Sequence, residues 1–262
     1  MMSLLDHPGV NRTIFFPRPS FVPPPPGAGD VMIEVGSGVR LHARIHDSPG
    51  ALAVVVLFHG NGEVVSDYDD AASRFAQAGG ALAVVDFRGY GRSEGVPGLR
   101  NLVGDARPAL EGLIPHLARA GQARPIVVMG RSLGSACAAE IARTVPQLIG
   151  GIVFESGFSD LTGVARRRCL TIETVAEEDL EVLCPLRKLA QSRTPLLVLH
   201  GENDTLIIPD EGRAAYEASV AEDKRFVLVP GRGHNTVSHH ALSLEELAAF
   251  LQRVASADQG RR

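Results

Sequence analysis

A serine, an aspartate and a histidine stand just beyond apolar runs in this chain, in an order that suits nucleophilic acyl transfer. Ser132 is the centre of Gly130-Arg131-Ser132-Leu133-Gly134. The apolar run Ile126 to Met129 precedes it, and the small helix formers Ser135, Ala136, Ala138 and Ala139 follow. A strand turned sharply into a helix would hold the Ser132 hydroxyl at the apex of strained backbone, above the strand ends. The flanking glycines leave room where strand and helix pass closely. Asp204 follows the run Leu196 to His200 in Gly201-Glu202-Asn203-Asp204. His234 follows Phe226 to Val229 in Pro230-Gly231-Arg232-Gly233-His234-Asn235. A serine hydroxyl becomes a useful nucleophile when an imidazole takes its proton, and the imidazole needs a carboxylate to orient it. Such chemistry also needs two N–H groups aimed at the developing oxyanion. The backbone N–H groups of Leu133 and of Asn61, in His59-Gly60-Asn61-Gly62, are the candidates.

Each residue has competitors. Gly91-Arg92-Ser93-Glu94-Gly95 repeats the glycine-serine-glycine pattern, but Val96-Pro97-Gly98 follows, so Ser93 reads as a loop residue. Glu155, directly after an apolar run ending at Phe154, is a second candidate for the acid, and Asp204 could merely organise a turn. Of the nine histidines, His239 and His240 introduce the final helix and read as solvated, while His59 and His200 end strands in structural roles. A nucleotide-binding reading rests on Gly60 and Gly62, with Asp86 as the ribose-binding acid. Val65 occupies the place of the third glycine and argues against it.

The elements that must position these groups are legible in outline. Val31 to Val35 and Val39 to His46 flank Gly36-Ser37-Gly38 and predict an antiparallel hairpin. Continuous apolar runs follow at 51–58, 81–87, 126–129, 149–154, 196–200 and 226–229. They alternate with helical stretches at 66–77, 105–120, 132–144, 210–221 and 243–254, with a kink or break at Pro115. Fully apolar strands alternating with helices predict an α/β fold, a mostly parallel doubly wound sheet with ligands at the carboxyl ends of its strands. Residues 1–30, with Pro23 to Pro26, read as an extended proline-rich arm, and 31–262 as a single domain.

Five ordered motifs carry a resemblance: His59-Gly60-Asn61-Gly62, Asp86 to Ser93, Gly130 to Gly134, His200 to Asp204 and Gly233-His234-Asn235. Together the chain resembles the α/β-hydrolase superfamily, in particular its small-lid serine hydrolases, the branch of serine aminopeptidase-like and depalmitoylase-related esterases. The resemblance implies an α/β-hydrolase fold and a catalytic triad of Ser132, Asp204 and His234. It also implies no metal or organic cofactor, and a lid, here small, at about 157–194. The expected activity is hydrolysis of carboxylic esters with short to medium acyl chains through an acyl-enzyme. Thioesterase or aminopeptidase chemistry on the same triad, or non-catalytic ligand binding, are the alternatives. Arg166-Arg167-Arg168 in the lid segment read as a solvated charged face, or as attraction for an anionic group.

The composition narrows the partners. At 45% hydrophobic and 21% charged residues the chain can bury a large core. A formal net charge of −4 offers no basic footprint for nucleic acid. No apolar run reaches membrane-span length, and the amino terminus has no signal-peptide pattern. Three cysteines without metal-like spacing suit a reduced, cytoplasmic protein. The expected partner is a small-molecule ester or thioester; oligomeric state is open.

Overall fold

In the computed structural model, residue 5 and residues 8–160 and 177–260 are described. Arg166, Arg167 and Arg168 lie outside them. Helix α1 (Pro8–Ile14) comes first, with proline at its start. Strands β1 (Ala28–Gly36) and β2 (Val39–His46) form the expected hairpin, closed by Ser37 and Gly38 at φ 55° and 71°. Positive φ at both turn residues matches the right-handed twist of the strands they join. Strand β3 (Ala53–Phe58), helix α2 (Ala72–Gln77), strand β4 (Gly80–Val85) and helices α3 (Leu99–Gly104) and α4 (Ala106–Arg119) follow. Next come β5 (Ile126–Arg131), α5 (Ser135–Thr144), β6 (Gly151–Glu155), α6 (Glu177–Leu183) and α7 (Pro185–Leu189). The chain closes with β7 (Leu196–Gly201), α8 (Pro209–Ala218), β8 (Lys224–Val229) and α9 (Ala241–Gln259).

The eight strands form one sheet in the order β1-β2-β4-β3-β5-β6-β7-β8. Pairings from β4 to β8 are parallel, and those of β2 with β1 and β4 are antiparallel. Every residue of β3 through β7 is buried, which explains why these strands read as unbroken apolar runs. Alternate side chains feed opposite faces. Val54, Val56 and Val128 join the core beneath α4 and α5, while Val55, Leu57 and Val127 join the core beneath α2 and α9.

Two expectations need correction. Helix α4 continues through Pro115 without a break. Pro115 faces solvent, so the carbonyl it leaves unpaired can be hydrated. The segment before β1 is not wholly extended. Helix α1 and the residue after it bury Val10, Ile14 and Phe15 in the core, an apolar stripe of helical spacing that the neighbouring prolines obscure.

The loop after β4 is braced from within the sheet. Asp86, fully buried, accepts from Val65 N–H at 2.9 Å and contacts His42 Nδ1 at 2.9 Å and His59 Nε2 at 3.3 Å. It therefore presents nothing to a ribose. Ser93 Oγ accepts from His42 N–H and donates to the Asp86 carbonyl, a strut in the loop as its surroundings predicted.

Candidate active site

The three loops singled out in the sequence leave the carboxyl ends of β5, β7 and β8, with β6 between the first two. Ser132 follows β5, Asp204 follows β7 and His234 follows β8. Ser132 has φ +49°, a left-handed conformation that non-glycine residues adopt at a cost of about 1–3 kcal/mol. The flanking glycines make this turn possible. A Cβ on Gly130 would lie 2.5 Å from the Gly134 carbonyl oxygen, and one on Gly134 would overlap the Phe58 carbonyl. Behind the turn Ser135, Ala136, Cys137, Ala138 and Ala139 are all buried, so α5 lies close against β5 and β6. The Ser135 hydroxyl donates to the Ser132 carbonyl at 2.7 Å.

The side chains meet. Ser132 Oγ lies 3.0 Å from His234 Nε2, and His234 Nδ1 lies 2.8 Å from Asp204 Oδ2. A carboxylate can only accept, so the proton belongs on Nδ1, leaving Nε2 free to accept from the serine. Asp204 Oδ1 accepts from the N–H groups of Leu206 and Ile207. His200 is more than a strand-end residue. Its Nε2 in fact lies 2.8 Å from the Ile207 carbonyl and 3.4 Å from Asp204 Oδ2, so it also faces the acid. Burial works to raise the Asp204 pKa, but His200, His234 and the Ile207 N–H together hold it well below the usual carboxylate range. Glu155, the other candidate acid, is turned towards Arg131, whose Nε lies 3.6 Å from its Oε1.

A depressed folded-state pKa stabilises the fold at pH above the unfolded value of about 3.9, and that contribution fades as pH falls towards the folded value. Asp204→Asn should therefore lower the melting temperature at pH 7, with the gap to the parent narrowing as pH drops below about 4. A gap independent of pH would contradict this.

Two further groups hold the His234 loop in place. Arg131 donates to Asn235 Oδ1 at 2.7 Å and to the His234 carbonyl at 3.5 Å, and Ser156 Oγ donates to the same carbonyl at 3.2 Å. Arg131 is also paired with Glu63. Glu63 Oε2 in turn accepts from Gly60 N–H and Tyr68 OH, both at 2.6 Å, which shapes the loop after β3. That loop passes Gly134, since the Phe58 and His59 carbonyls lie against it. Asn61 and Leu133 are thereby carried on adjoining segments.

The amino-terminal segment is stitched onto the same loop. Asn61 Nδ2 donates to the Ile14 carbonyl, and Asn61 Oδ1 accepts from Phe16 N–H at 3.0 Å and Tyr90 OH at 2.7 Å. Arg18 Nε donates to the Gly62 carbonyl at 2.8 Å and its guanidinium pairs with Asp67. Nothing in the local sequence around Asn61 signals these bonds.

Among the described residues no cluster of His, Cys, Asp or Glu could hold a metal ion, and no helix is long and apolar enough to cross a membrane. A parallel sheet with a strained serine at a strand-to-helix turn, facing a histidine and an aspartate from later strand ends, defines a class of architecture, and comparison with known proteins places the chain within it. The model of a family described as Serine aminopeptidase, S33 matches residues 49–170, and that of the Prolyl oligopeptidase family matches residues 112–258. Uncharacterized protein Rv2307c of Mycobacterium tuberculosis is 32% identical over 232 residues, covering 86% of this chain and 80% of the relative. The Alpha/beta hydrolase domain-containing protein aho-3 of Caenorhabditis elegans is 29% identical over 172 residues, covering 66% of this chain and 49% of that protein. Among solved structures, the Pyrococcus furiosus esterase Pf2001 superposes with a TM-score of 0.72 at 19% identity, covering 92% of this chain and 98% of the esterase. A thermophilic esterase from Thermogutta terrifontis superposes with a TM-score of 0.66 at 19% identity, covering 87% and 99%. The chain belongs to the α/β-hydrolase superfamily.

Proposed function

We propose that the protein is a serine hydrolase that cleaves carboxylic esters of short to medium acyl chains through an acyl-enzyme on Ser132. The observation that carries this reading is the unbroken hydrogen-bonded chain from the strained Ser132 hydroxyl through His234 to Asp204. In the first half-reaction Ser132 Oγ attacks the ester carbonyl while His234 Nε2 takes its proton. Asp204 keeps the imidazole in the receptive tautomer and stabilises the imidazolium that forms. The N–H groups of Leu133 and Asn61 receive the oxyanion. His234 then returns the proton to the departing alkoxide, and a water molecule repeats the sequence to release the acid and restore the serine. No step calls on a metal or organic cofactor.

Phe16, Leu206 and Ile208 support an acyl substrate. They are 55%, 47% and 45% exposed, and the backbone of Phe16 and Leu206 bonds Asn61 and Asp204, so apolar side chains stand in segments adjoining the triad. The neighbouring solved structures are of proteins described as esterases, which favours the same reaction class here. Thioester and amide cleavage would use the same groups, and the family described as serine aminopeptidase keeps amides in view.

The test is kcat/KM across aryl esters of two to twelve acyl carbons, beside matched thioesters and aminoacyl amides. The expected outcome is a maximum among short or medium esters. A maximum among amides would make the protein a peptidase, and single-turnover labelling without sustained hydrolysis would make it a binding protein on the same fold.

The amino-terminal segment has a role in this reading. By gripping the Asn61 side chain from Ile14 and Phe16 it holds the neighbouring N–H in register with that of Leu133. Asn61→Ala keeps the N–H and removes the grip. It should lower kcat about tenfold with little change in KM, a fraction of the ~10²–10³ lost when an oxyanion donor is deleted outright. An unchanged kcat would leave the segment a purely structural role.

A further inference from the structure

A cavity separate from the triad is lined by none of Ser132, Asp204 and His234. It has a volume of about 350 Å³, within the ~300–1,000 Å³ typical of small-molecule pockets. It lies on the α2 and α9 face of the sheet, with Leu57, Phe75, Leu199 and Leu247 among its apolar walls. Glu63, Arg131 and Glu155 also line it, and the first two brace the loops of Asn61 and His234 from behind. Arg131 therefore joins the wall of the cavity to the His234 loop.

Glu155 is the group without adequate company. Its side chain is 2% exposed, and its Oε1 has no hydrogen-bond partner among the described residues. The nearest cation, Arg131, is already committed to Glu63 and Asn235. Two carboxyl groups thus share one guanidinium at the buried end. Towards the rim Asp67 is paired with Arg18, and Arg74 stands in the wall. Burial pushes the Glu155 pKa up, with Glu63 adding to the effect and Arg131 and a hydrogen bond from Ser238 opposing it. Arg131 Nε, 3.6 Å away, gives Oε1 charge without a hydrogen bond, and a buried acceptor in that state is best relieved by a donor that also brings positive charge.

We propose that this cavity binds a primary amine with an apolar body, the ammonium donating to Glu155 Oε1 and the hydrocarbon lying against Leu57, Phe75, Leu199 and Leu247. Binding needs N–H donation and charge together, so an alcohol supplies half of what the site offers and a quaternary ammonium supplies the other half. The occupant competes with Arg131 for Glu155, and Arg131 holds the His234 carbonyl and Asn235. Occupancy consequently reaches the His234 loop without entering the space over Ser132. This kinetic consequence rests on the triad reading; the binding itself does not.

The experiment is calorimetric titration of the full chain with n-hexylammonium and phenethylammonium, beside 1-hexanol, hexanoate and hexyltrimethylammonium. The primary amines should bind at least about tenfold more tightly than the three comparators, the scale of one charge-assisted hydrogen bond. Glu155→Gln should erase the preference of amine over alcohol, because the amide keeps an acceptor but carries no charge. Leu244→Trp, which fills the cavity from a partly buried wall position, should abolish binding with Glu155 intact. If Glu155→Gln does not fold, the ligand series and Leu244→Trp decide. Equal binding of amine and alcohol, or binding untouched by Leu244→Trp, would overturn the proposal. In ester turnover the amine should alter kcat without raising KM. A purely competitive pattern would place it over Ser132 and also overturn the proposal, whereas absent esterase activity would bear on the triad reading and leave the titration to judge the cavity.

Discussion

Ser132→Ala is expected to lose roughly 10⁶-fold in kcat on any ester the protein turns over, the scale seen when the nucleophile of a serine hydrolase is deleted. The loss is so large because the relay has no spare member. With Oγ removed, His234 Nε2 has no bound hydroxyl to deprotonate, and water held at random replaces an oxygen fixed 3.0 Å away. The nearby hydroxyls do not stand in for it. Ser135 Oγ donates to the Ser132 carbonyl, Ser156 Oγ to the His234 carbonyl and Ser93 Oγ to the Asp86 carbonyl, each committed elsewhere. The variant should fold, since alanine removes only the hydroxyl, and its melting temperature compared with the parent checks that. Turnover within tenfold of the parent would remove Ser132 from the mechanism.

Asp204→Asn should cost roughly 10⁴-fold in kcat with a much smaller effect on KM. The amide is nearly isosteric, but it reverses the hydrogen-bond logic. Oδ2 of the carboxylate accepts from His234 Nδ1 and faces His200 Nε2, while Oδ1 accepts from two backbone N–H groups. An asparagine keeps its oxygen towards the Leu206 and Ile207 N–H groups and turns its NH₂ towards His234. The imidazole then carries its proton on Nε2 and cannot receive one from Ser132. Glu155→Gln in the same assay separates the two candidate acids. If Glu155 rather than Asp204 oriented His234, its loss would give the larger fall in kcat, whereas the 2.8 Å contact to Asp204 assigns the larger fall there.

What could be read in the residues follows from how local each cause is. Strands buried on both faces are continuous apolar runs, so β3 to β7 were legible, although the boundaries shift by a residue or two where glycine or arginine extends a strand, as at Gly80 and Arg131. The elbow at Ser132 was legible because its steric demand falls on residues two places away on each side. The contacts that brace the site were hidden, since they join residues far apart in the chain. Arg131 reaches Glu63 across 68 positions, and Phe16 reaches Tyr90 across 74. Neither partner's neighbours announce the other. The prolines after helix α1 obscure it, and the six residues of α3 are too few for a periodic signal. The predicted helix at 66–77 is in fact a 3-10 turn at Val65–Tyr68 followed by α2, because Val64 and Val65 are drawn inward to the Asp67 and Asp86 carboxylates.

The central claim is that an acyl group passes through one named oxygen. The direct measurement is rapid acid quench during turnover of an activated aryl ester, followed by peptide mapping with mass spectrometry. The expected result is a single acyl adduct on Ser132, absent from Ser132→Ala and formed far more slowly when His234 is replaced by alanine. An adduct on Ser93, Ser135 or Ser156, or sustained turnover of Ser132→Ala with an acyl group elsewhere, would contradict the account.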